Sequence, residues 1–480
     1  MNQSYNNIMK SLILLFILLI TSQIFSQVGI GNTNPNPTAA LDITSTTQGM
    51  LAPRMTTAQR NAITTPANSL LVYDTTAESF FYYDSTPAPG AWVRLNSGAN
   101  QRNNYKLVKS VADLAPELAA GGGSKYLLQS NTLYEINGTI TLAFPIDLNS
   151  AYISGLDASE DVLFKATGPI FQGTTGGSIR NVTLTGGGSA FAITGGTSLL
   201  VQNTVVANFA NVGTISNIGL YFSNIVQFVN NANGITYNNI GNLLLNNQAW
   251  LDSNNGTFET FTGTFGLIEK VSGFTSLNGS DVAMDVSSNP TVGNGVILSR
   301  AFSGTTSAPS GFIRKYTTGT YPGYNFTNSW TVNCPGIPRE SDEVATGNLY
   351  YDSSSVVNIT DNNAFKLPVT TISVRNFRTS SSVSNRITYE GSKPRSINIF
   401  ASISFTATGG SRYAFSIYKN GVLVPGTTAI YDVLQTNQRQ TVSVIGTVDI
   451  NPSQYVEIYV QKLTSGNEQF LTTSYNLILD

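Results

Sequence analysis

The chain has 480 residues and a formal net charge of −2, with 11% charged and 41% hydrophobic residues. A typical soluble protein has about 25% charged residues, so this composition excludes a basic surface built to bind nucleic-acid phosphates. The 22 tyrosines and 24 phenylalanines exclude a disordered chain, because disordered chains are poor in aromatic residues.

Histidine is absent and there is one cysteine, Cys334. The commonest general base and metal ligand is therefore missing, and no cofactor or metal centre is predicted. A single cysteine cannot form an intrachain disulfide, so the folds must rest on packing. In an exported protein a lone thiol is either buried or available for an intermolecular bridge, and burial is the favoured interpretation for Cys334.

The first predicted element is the apolar run Leu12–Ile20, which follows Lys10. The run is shorter than the roughly 20 residues that cross a bilayer, and its positive start and small-residue exit are typical of a signal peptide over residues 1–26. Cleavage is predicted between Ser26 and Gln27. The alternative is an uncleaved membrane anchor. No second apolar run of membrane length follows, so the mature chain is expected to be secreted or displayed at the cell surface without a transmembrane span.

Residues 27–96 form the next predicted unit. A short helix is expected over residues 56–63, where a threonine supplies the cap. Short strands joined by a turn are expected at Phe80–Asp84 and Trp92–Leu95. The unit resembles an N-terminal module of secreted Bacteroidetes proteins and tail-fibre-like proteins, which implies a surface-fibre module and no chemistry. Five segments carry this resemblance: Val28–Gly31, Pro53–Thr56, Ala58–Arg60, Leu71–Asp74 and Trp92–Leu95.

Residues 97–124 are predicted to be a polar linker followed by a short helix, which a run of three glycines ends. From 125 to 315, short apolar runs recur between Gly- and Asn-rich turns. Asn181, Asn203 and Asn224 repeat at about 20 residues, which is typical of one coil of a parallel β-helix. Asparagine suits the corners because it tolerates left-handed dihedrals. The alternative is a β-sandwich with chance spacing.

This region also resembles the β-helical shaft of viral tail-spike and fibre proteins. The resemblance is carried by Val111–Leu114, Tyr134–Ile140 and Ile179–Leu184. It implies a right-handed parallel β-helix.

Residues 316–346 are a transitional segment, and 347–480 are predicted to be an antiparallel jelly-roll head. Alternating strands recur there, and Asn420–Gly421 is a strong hairpin signal. The segment resembles the heads of viral fibres, which are similar to tumour necrosis factor-like and complement-type heads. The resemblance implies a homotrimer. It is carried by Arg386–Gly391, Phe415–Gly421 and Tyr455–Val460.

The predicted fold class is therefore all-β: a small N-terminal module, a β-helix shaft and a jelly-roll head. Parallel β-helices often act on polysaccharides, and hydrolysis requires paired carboxylates about 5–10 Å apart. Asp157, Glu160 and Asp161 share one predicted loop and are the candidate catalytic residues, although solvated loop carboxylates are the more ordinary interpretation.

Attachment fits the composition better than catalysis. Tyr221, Tyr237 and Trp250 are the candidate sugar-stacking residues, unless they fill the core of the β-helix. The favoured function is a secreted, fibre-like, homotrimeric surface protein for attachment to a glycan or a cell surface, or for a structural role. Two alternatives stay open: a phage-derived tail-spike or receptor-binding protein, and a β-helical polysaccharide lyase or hydrolase.

Overall fold

The structure is a computed structural model that describes residues 2–20, 27–86, 89–95, 104–360 and 362–480. The chain divides into two compact units, residues 1–101 and 102–480. Strands dominate both the solenoid and the sandwich described below, which confirms the all-β class. Ser26, at the predicted cleavage point, and residues 97–103 of the predicted linker lie outside the described residues.

The first unit contains two small sheets. Strands β1 and β2 pair in parallel, and the second sheet has the order β3-β4-β5-β6. Among the described residues, none of the helices combines the length and hydrophobicity that a membrane crossing needs. The elements are α1 (Asn2–Ile20), β1 (Val28–Ile30), β2 (Leu41–Ile43), β3 (Arg54–Met55), α2 (Thr57–Asn61), β4 (Leu71–Asp74), β5 (Ser79–Asp84) and β6 (Ala91–Arg94).

Structural contacts account for two of the sequence segments that define this module. Thr56 caps α2, and a reciprocal pair of hydrogen bonds joins it to Gln59, which satisfies backbone donors at the helix start. Arg60 then pairs with the buried Asp74 at 3.2 Å, while its guanidinium lies 3.9 Å from the centroid of the Phe81 ring. The segments Ala58–Arg60 and Leu71–Asp74 therefore hold the helix against the sheet.

The second unit begins with a β-solenoid of parallel strands. Its elements are β7 (Tyr105–Val108), a 3-10 helix (Val111–Leu114), α3 (Ala115–Ala120), β8 (Tyr126–Leu127), β9 (Leu133–Ile136), β10 (Thr139–Thr141), β11 (Ile146–Asp147), β12 (Tyr152–Ser154), β13 (Val162–Lys165), β14 (Pro169–Gly173), β15 (Gly177–Arg180), β16 (Thr183–Gly186), β17 (Ser189–Ile193), β18 (Gly196–Ala207), β19 (Gly213–Val229), β20 (Ile235–Trp250), β21 (Thr257–Leu277), β22 (Val282–Asp285), β23 (Thr291–Leu298), β24 (Ala301–Gly304), β25 (Ile313–Arg314) and β26 (Trp330–Asn333).

Three parallel sheets form the faces of the solenoid, and the long strands β18–β21 each run across more than one face. Sheet A consists of β7, β9, β12, β15, β18, β19, β20, β21, β23 and β26. Sheet B consists of β10, β13, β16, β18, β19, β20, β21 and β24. Sheet C consists of β8, β11, β14, β17, β19, β20, β21, β22 and β25.

The solenoid runs from Tyr105 to Asn333, whereas the sequence predicted 125 to 315. At its start, β7 pairs in parallel with β9, and the 3-10 helix and α3 interrupt the coil between them. At its end, β26 pairs with β23, after a long excursion through part of the predicted transitional segment. The repeat is hidden at both ends because irregular insertions separate the paired strands.

Left-handed residues mark the corner that follows sheet A. Asn181, Asn203, Ile225 and Asn247 have φ values of 54°, 48°, 55° and 46°, and the flanking register places each of them 22 residues after the last. The side-chain amide of Asn203 donates to the side-chain oxygen of Asn181 at 3.1 Å. The predicted asparagine corner is present, with Asn224 one residue before the corner position that Ile225 occupies.

The second unit ends in a sandwich of two antiparallel sheets, in agreement with the predicted head. Its elements are a 3-10 helix (Asp342–Val344), β27 (Thr346–Ser353), β28 (Val357–Ile359), β29 (Ala364–Lys366), β30 (Thr370–Phe377), β31 (Thr379–Ser380), β32 (Ile387–Tyr389), β33 (Arg395–Thr406), β34 (Arg412–Lys419), β35 (Val422–Leu423), β36 (Ala429–Asp432), β37 (Gln440–Ile450), β38 (Tyr455–Lys462) and β39 (Glu468–Leu479).

The front sheet has the order β30-β27-β39-β33-β37, with β28 paired to β39. The back sheet has the order β31-β32-β38-β34-β35, with β29 on β38 and β36 on β34. Phe405 of the front sheet packs against Phe415 of the back sheet, with ring centroids 5.1 Å apart. Asn420 and Gly421 both have positive φ between β34 and β35, as the type I′ hairpin requires.

Ile225 is the exception in the corner column and generates a stability prediction. A β-branched residue in the left-handed region is strained by roughly 1–2 kcal/mol, whereas asparagine tolerates that region. Ile225 is also 51% exposed, so little packing is lost on substitution. Ile225→Asn should therefore raise the free energy of unfolding by about 1 kcal/mol, measured by urea denaturation at fixed protein concentration.

Ile225→Val is the matched control, because it keeps the branched side chain and therefore the strain. It should leave stability unchanged or slightly lower. An Ile225→Asn chain no more stable than Ile225→Val would contradict the strain at this corner.

Candidate functional site

The three candidate catalytic carboxylates lie between β12 and β13, but the buried one serves the backbone. Asp161 accepts N–H groups of Gly138 at 2.8 Å, Leu156 at 2.7 Å and Asp157 at 3.1 Å. Burial raises the pKa of Asp161, but these backbone donors more than offset it and the net pKa is lowered. Asp161 thus stays ionised and fixes the loop to the preceding coil.

The other two carboxylates of this loop are exposed. The side chain of Asp157 accepts the N–H of Ser159 at 2.8 Å, and its carbonyl oxygen accepts the N–H of Glu160 at 3.1 Å. This is the hydrogen bonding of a turn. The loop therefore brings the predicted residues together in sequence, with one of them committed to backbone donors.

The three candidate sugar-stacking residues point into the solenoid. Tyr221, Tyr237 and Trp250 are 1%, 0% and 0% exposed. Tyr221 and Tyr237 contact each other with centroids 5.5 Å apart, and Trp250 stacks on Phe258 at 4.4 Å. The alternation of the strands turns these positions inward, so in this chain they fill the core and present no face to a sugar.

A buried polar cluster, which the sequence interpretation did not predict, crosses the solenoid interior. Lys270 and Glu259 are fully buried and pair at 2.6 Å. The ammonium of Lys270 also donates to the side-chain oxygen of Gln248 at 3.0 Å, whose amide donates to the hydroxyl of Ser223 at 3.0 Å. The cluster therefore links successive coils through side chains inside an apolar core.

Arg300 extends the cluster toward the end of the solenoid. Its guanidinium donates to the carbonyl of Gln248 at 3.0 Å and to that of Phe274 at 2.8 Å. Burial is the main cause that lowers the pKa of Lys270 to about 7, and the positive charge of Arg300 lowers it further. Burial also raises the pKa of the nearby Cys334 thiol to about 11, and that thiol is buried as the sequence favoured.

One sequence signal for this cluster exists. Lys270 occupies the same alternating phase of β21 as the buried Ile268, so an inward lysine follows from strand alternation. Its acidic partner cannot be found this way, because Glu259 belongs to a different face of the coil. Among the residues that the structure describes, no group of three or more His, Cys, Asp or Glu side chains is arranged to hold a metal ion.

A polar depression of about 470 Å³ lies on the solenoid surface near the start of sheet C. Lys125 at its edge pairs with Asp147 at 2.7 Å, which holds the ammonium in place. Hydroxyl and amide groups supply the remaining polar lining, from residues Ser124, Gln172, Thr174 and Thr194. The depression therefore offers hydrogen-bond donors and acceptors from four successive coils.

The front sheet of the sandwich carries an outward apolar row. The strand register aligns, in order, Val374, Asn348, Ile478, Phe400 and Ile445 across five strands. Phe400 and Ile445 are 41% and 62% exposed. The row borders a depression of about 1110 Å³, which aromatic side chains of the segment before the sandwich also line.

The sequence placed outward aromatic residues elsewhere, on the strands of Phe415, Tyr418 and Tyr459. Phe415 is fully buried, and Tyr418 and Tyr459 stack on each other with centroids 3.9 Å apart. These strands form the back sheet, so the exposed apolar row on the front sheet is a correction of position. Alternation alone does not say which residue of a strand faces the second sheet.

Comparison with known proteins adds one family match. The model described as "Phage tail like trimerisation region" matches residues 29–108, which extend from β1 to the end of β7. None of the curated protein sequences matches this chain.

Several solved structures are similar at low identity. Eiger TNF from S. frugiperda shares 7% identity with a TM-score of 0.21, over 28% of this chain and 91% of that one. Murine APRIL gives 7% and 0.21, over 28% and 98%. The enzymatically active domain of bacteriophage CBA120 tailspike protein 4 gives 8% and 0.24, over 90% and 77%. At these TM-scores the similarities carry no functional argument.

The low pKa of Lys270 predicts how stability depends on pH. Below pH 7 the folded and unfolded states both carry the proton, while between pH 7 and about 10 only the unfolded state does. Stability therefore rises with pH wherever the unfolded state binds more protons. The urea midpoint of the wild-type chain should increase from pH 7 to pH 9.

Lys270→Met removes the titrating group, and this increase should become smaller. Lys125→Met is the matched control, because the Lys125 side chain on the same solenoid is 40% exposed and should leave the increase intact. The same increase in Lys270→Met as in the wild type would contradict the assignment.

Proposed function

We propose that this chain is a fibre-like surface protein that assembles as a homotrimer and mediates attachment. The observation that carries the proposal is the outward apolar row of the front sheet, from Val374 to Ile445. Exposed apolar patches of several hundred Å² generally mark interfaces. A chain whose outer sheet face carries such a row is built to be covered.

The family match supports the same number of copies. Residues 29–108 resemble a trimerisation region, and they lie at the opposite end of the sequence from the front sheet. Two separate parts of the chain thus support association. The charged fraction of 11% is low, so the contacts proposed here are apolar and insensitive to salt.

Attachment to a glycan is the proposed role of the assembled protein. The buried Tyr221, Tyr237 and Trp250 leave the polar depression as the proposed contact site. Its lining groups, including Lys125, Gln172 and Thr194, are donors and acceptors suited to sugar hydroxyls. Three copies would bind a surface with an avidity well above that of one site.

Catalysis is not part of the proposal. Asp161 is ionised and held by three backbone donors, which suits a structural carboxylate rather than a general acid. Export through the signal sequence is proposed as well, and places the protein outside the cell or at its surface. N-terminal sequencing of exported protein tests this, and a chain that still begins at Met1 or Met9 would contradict it.

The first test of the proposal is the oligomeric state. The chain from Gln27 onward should be a trimer by light scattering at micromolar concentration, in both low and high salt. Phe400→Asp should promote dissociation, because it places a charge in the apolar row. Ile430→Asp is the matched control, since Ile430 is 60% exposed on the back sheet and should leave the trimer intact.

A clean monomer of the wild-type chain would refute the trimer. A trimer that Phe400→Asp and Ile430→Asp affect equally would refute the role of the front sheet.

The second test concerns the ligand. A glycan array should retain the wild-type chain, and a double variant of Lys125→Ala and Thr194→Ala should lose at least about tenfold in affinity, or about 1.4 kcal/mol. Thr236→Ala, on the same sheet but outside the depression, should bind as the wild type does. Release of oligosaccharides that Asp157→Ala or Glu160→Ala abolishes would show that the protein is a depolymerase instead.

A further inference from the structure

The outward face of sheet A carries an apolar column along the solenoid. Leu200, Phe222 and Leu244 are aligned in register on successive coils, and their side chains are half-buried. The inward neighbours Tyr221 and Leu243 are fully buried, which confirms the outward direction of the column. The full column, in order, is Tyr105, Leu133, Tyr152, Ser178, Leu200, Phe222, Leu244, Glu269, Val296 and Thr331.

The same coils show what a solvent-facing column looks like. On sheet C, the outward positions of three successive coils are Thr214, Thr236 and Thr260. Threonine combines β propensity with a hydroxyl that water can solvate. Because both columns belong to strands β19 and β20, their difference reflects the face and not the coil.

A second apolar column lies beside the first on sheet A. Leu220 and Leu267 face outward two residues before Phe222 and Glu269, and both are half-buried. An apolar surface that extends over several coils of one face is larger than the scattered apolar residues of an ordinary surface. Something therefore covers this face in the working protein.

We infer that the cover is the same face of other copies of this chain, so that three solenoids lie side by side through sheet A. This inference rests on the trimer proposed above and adds the surface through which the solenoids meet. The segment that resembles a trimerisation region ends at residue 108. Its last residues form β7, which is the first strand of sheet A and supplies Tyr105 to the column.

Continuity along the column identifies the occupant. Chains that associate at β7 have the start of sheet A at the contact, and the apolar column continues from there. The outward charged residues of this face are few: Glu135, Arg180 and Glu269. A face that meets its own copy brings identical charges together, so a near-neutral apolar face suits association with itself.

Spin labels test this contact in the full chain from Gln27 onward. Cys334→Ala removes the native thiol, and single labels are placed at Phe222→Cys on sheet A or Thr236→Cys on sheet C. Packed sheets lie about 10 Å apart, so labels at residue 222 should be within roughly 20 Å of each other. Labels at residue 236 should be much farther apart, because the solenoids themselves separate them.

Each result has a definite meaning. A trimer by light scattering in which the labels at residue 222 are as far apart as those at residue 236 would overturn the sheet A contact and leave the trimer standing. A monomer with no measurable label distance would overturn both this inference and the proposed oligomer.

A second variant keeps the test independent of the labels. Leu244→Asp should weaken trimer association about tenfold or more, whereas Thr236→Asp, which adds the same charge to sheet C, should not. Equal effects of the two substitutions would overturn the inference.

Discussion

Parallel stacking of the coils is the constraint on which the solenoid depends. Hydrogen bonds between coils hold equivalent positions about 4.8 Å apart, so each position of one coil repeats directly above the last. Residues are thereby sorted into columns, and a column is inward, outward or a corner throughout. Asn181 and Asn203 show the result at a corner, where the left-handed backbone and the amide-to-amide bond favour the same residue type.

The interior columns meet a second constraint, since a buried polar group needs partners. Lys270 and Glu259 satisfy it by pairing across the coil, and Gln248 joins them to the coil before. A cluster of this kind is weak evidence for stability, because desolvation opposes the attraction. Its consistent contribution is specificity of register, since a shift by one residue would turn Lys270 outward and leave Glu259 buried without its partner.

The sequence predicted what local patterns determine. The asparagine period indicated the solenoid, and Asn420–Gly421 indicated a hairpin that is present. Positions that depend on pairing between distant strands were less accessible. The solenoid begins at Tyr105 because β7 pairs with β9 across an irregular insertion, which no repeat shows. Trp250 was a candidate for binding because aromatic content does not reveal the strand phase that buries it, and the Lys270 cluster was missed for the same reason.

Direction is the property that joins these observations to function. Within one strand, Tyr221 and Phe222 face opposite ways, so one fills the core while the other adds to a surface. The front sheet repeats this arrangement, with Ile399 buried and Phe400 outward. Both outward sets are apolar on sheets whose inward sides already supply a core. The folding of a single chain does not require them, and contact between chains is the physical reason for such residues that the proposed assembly supplies.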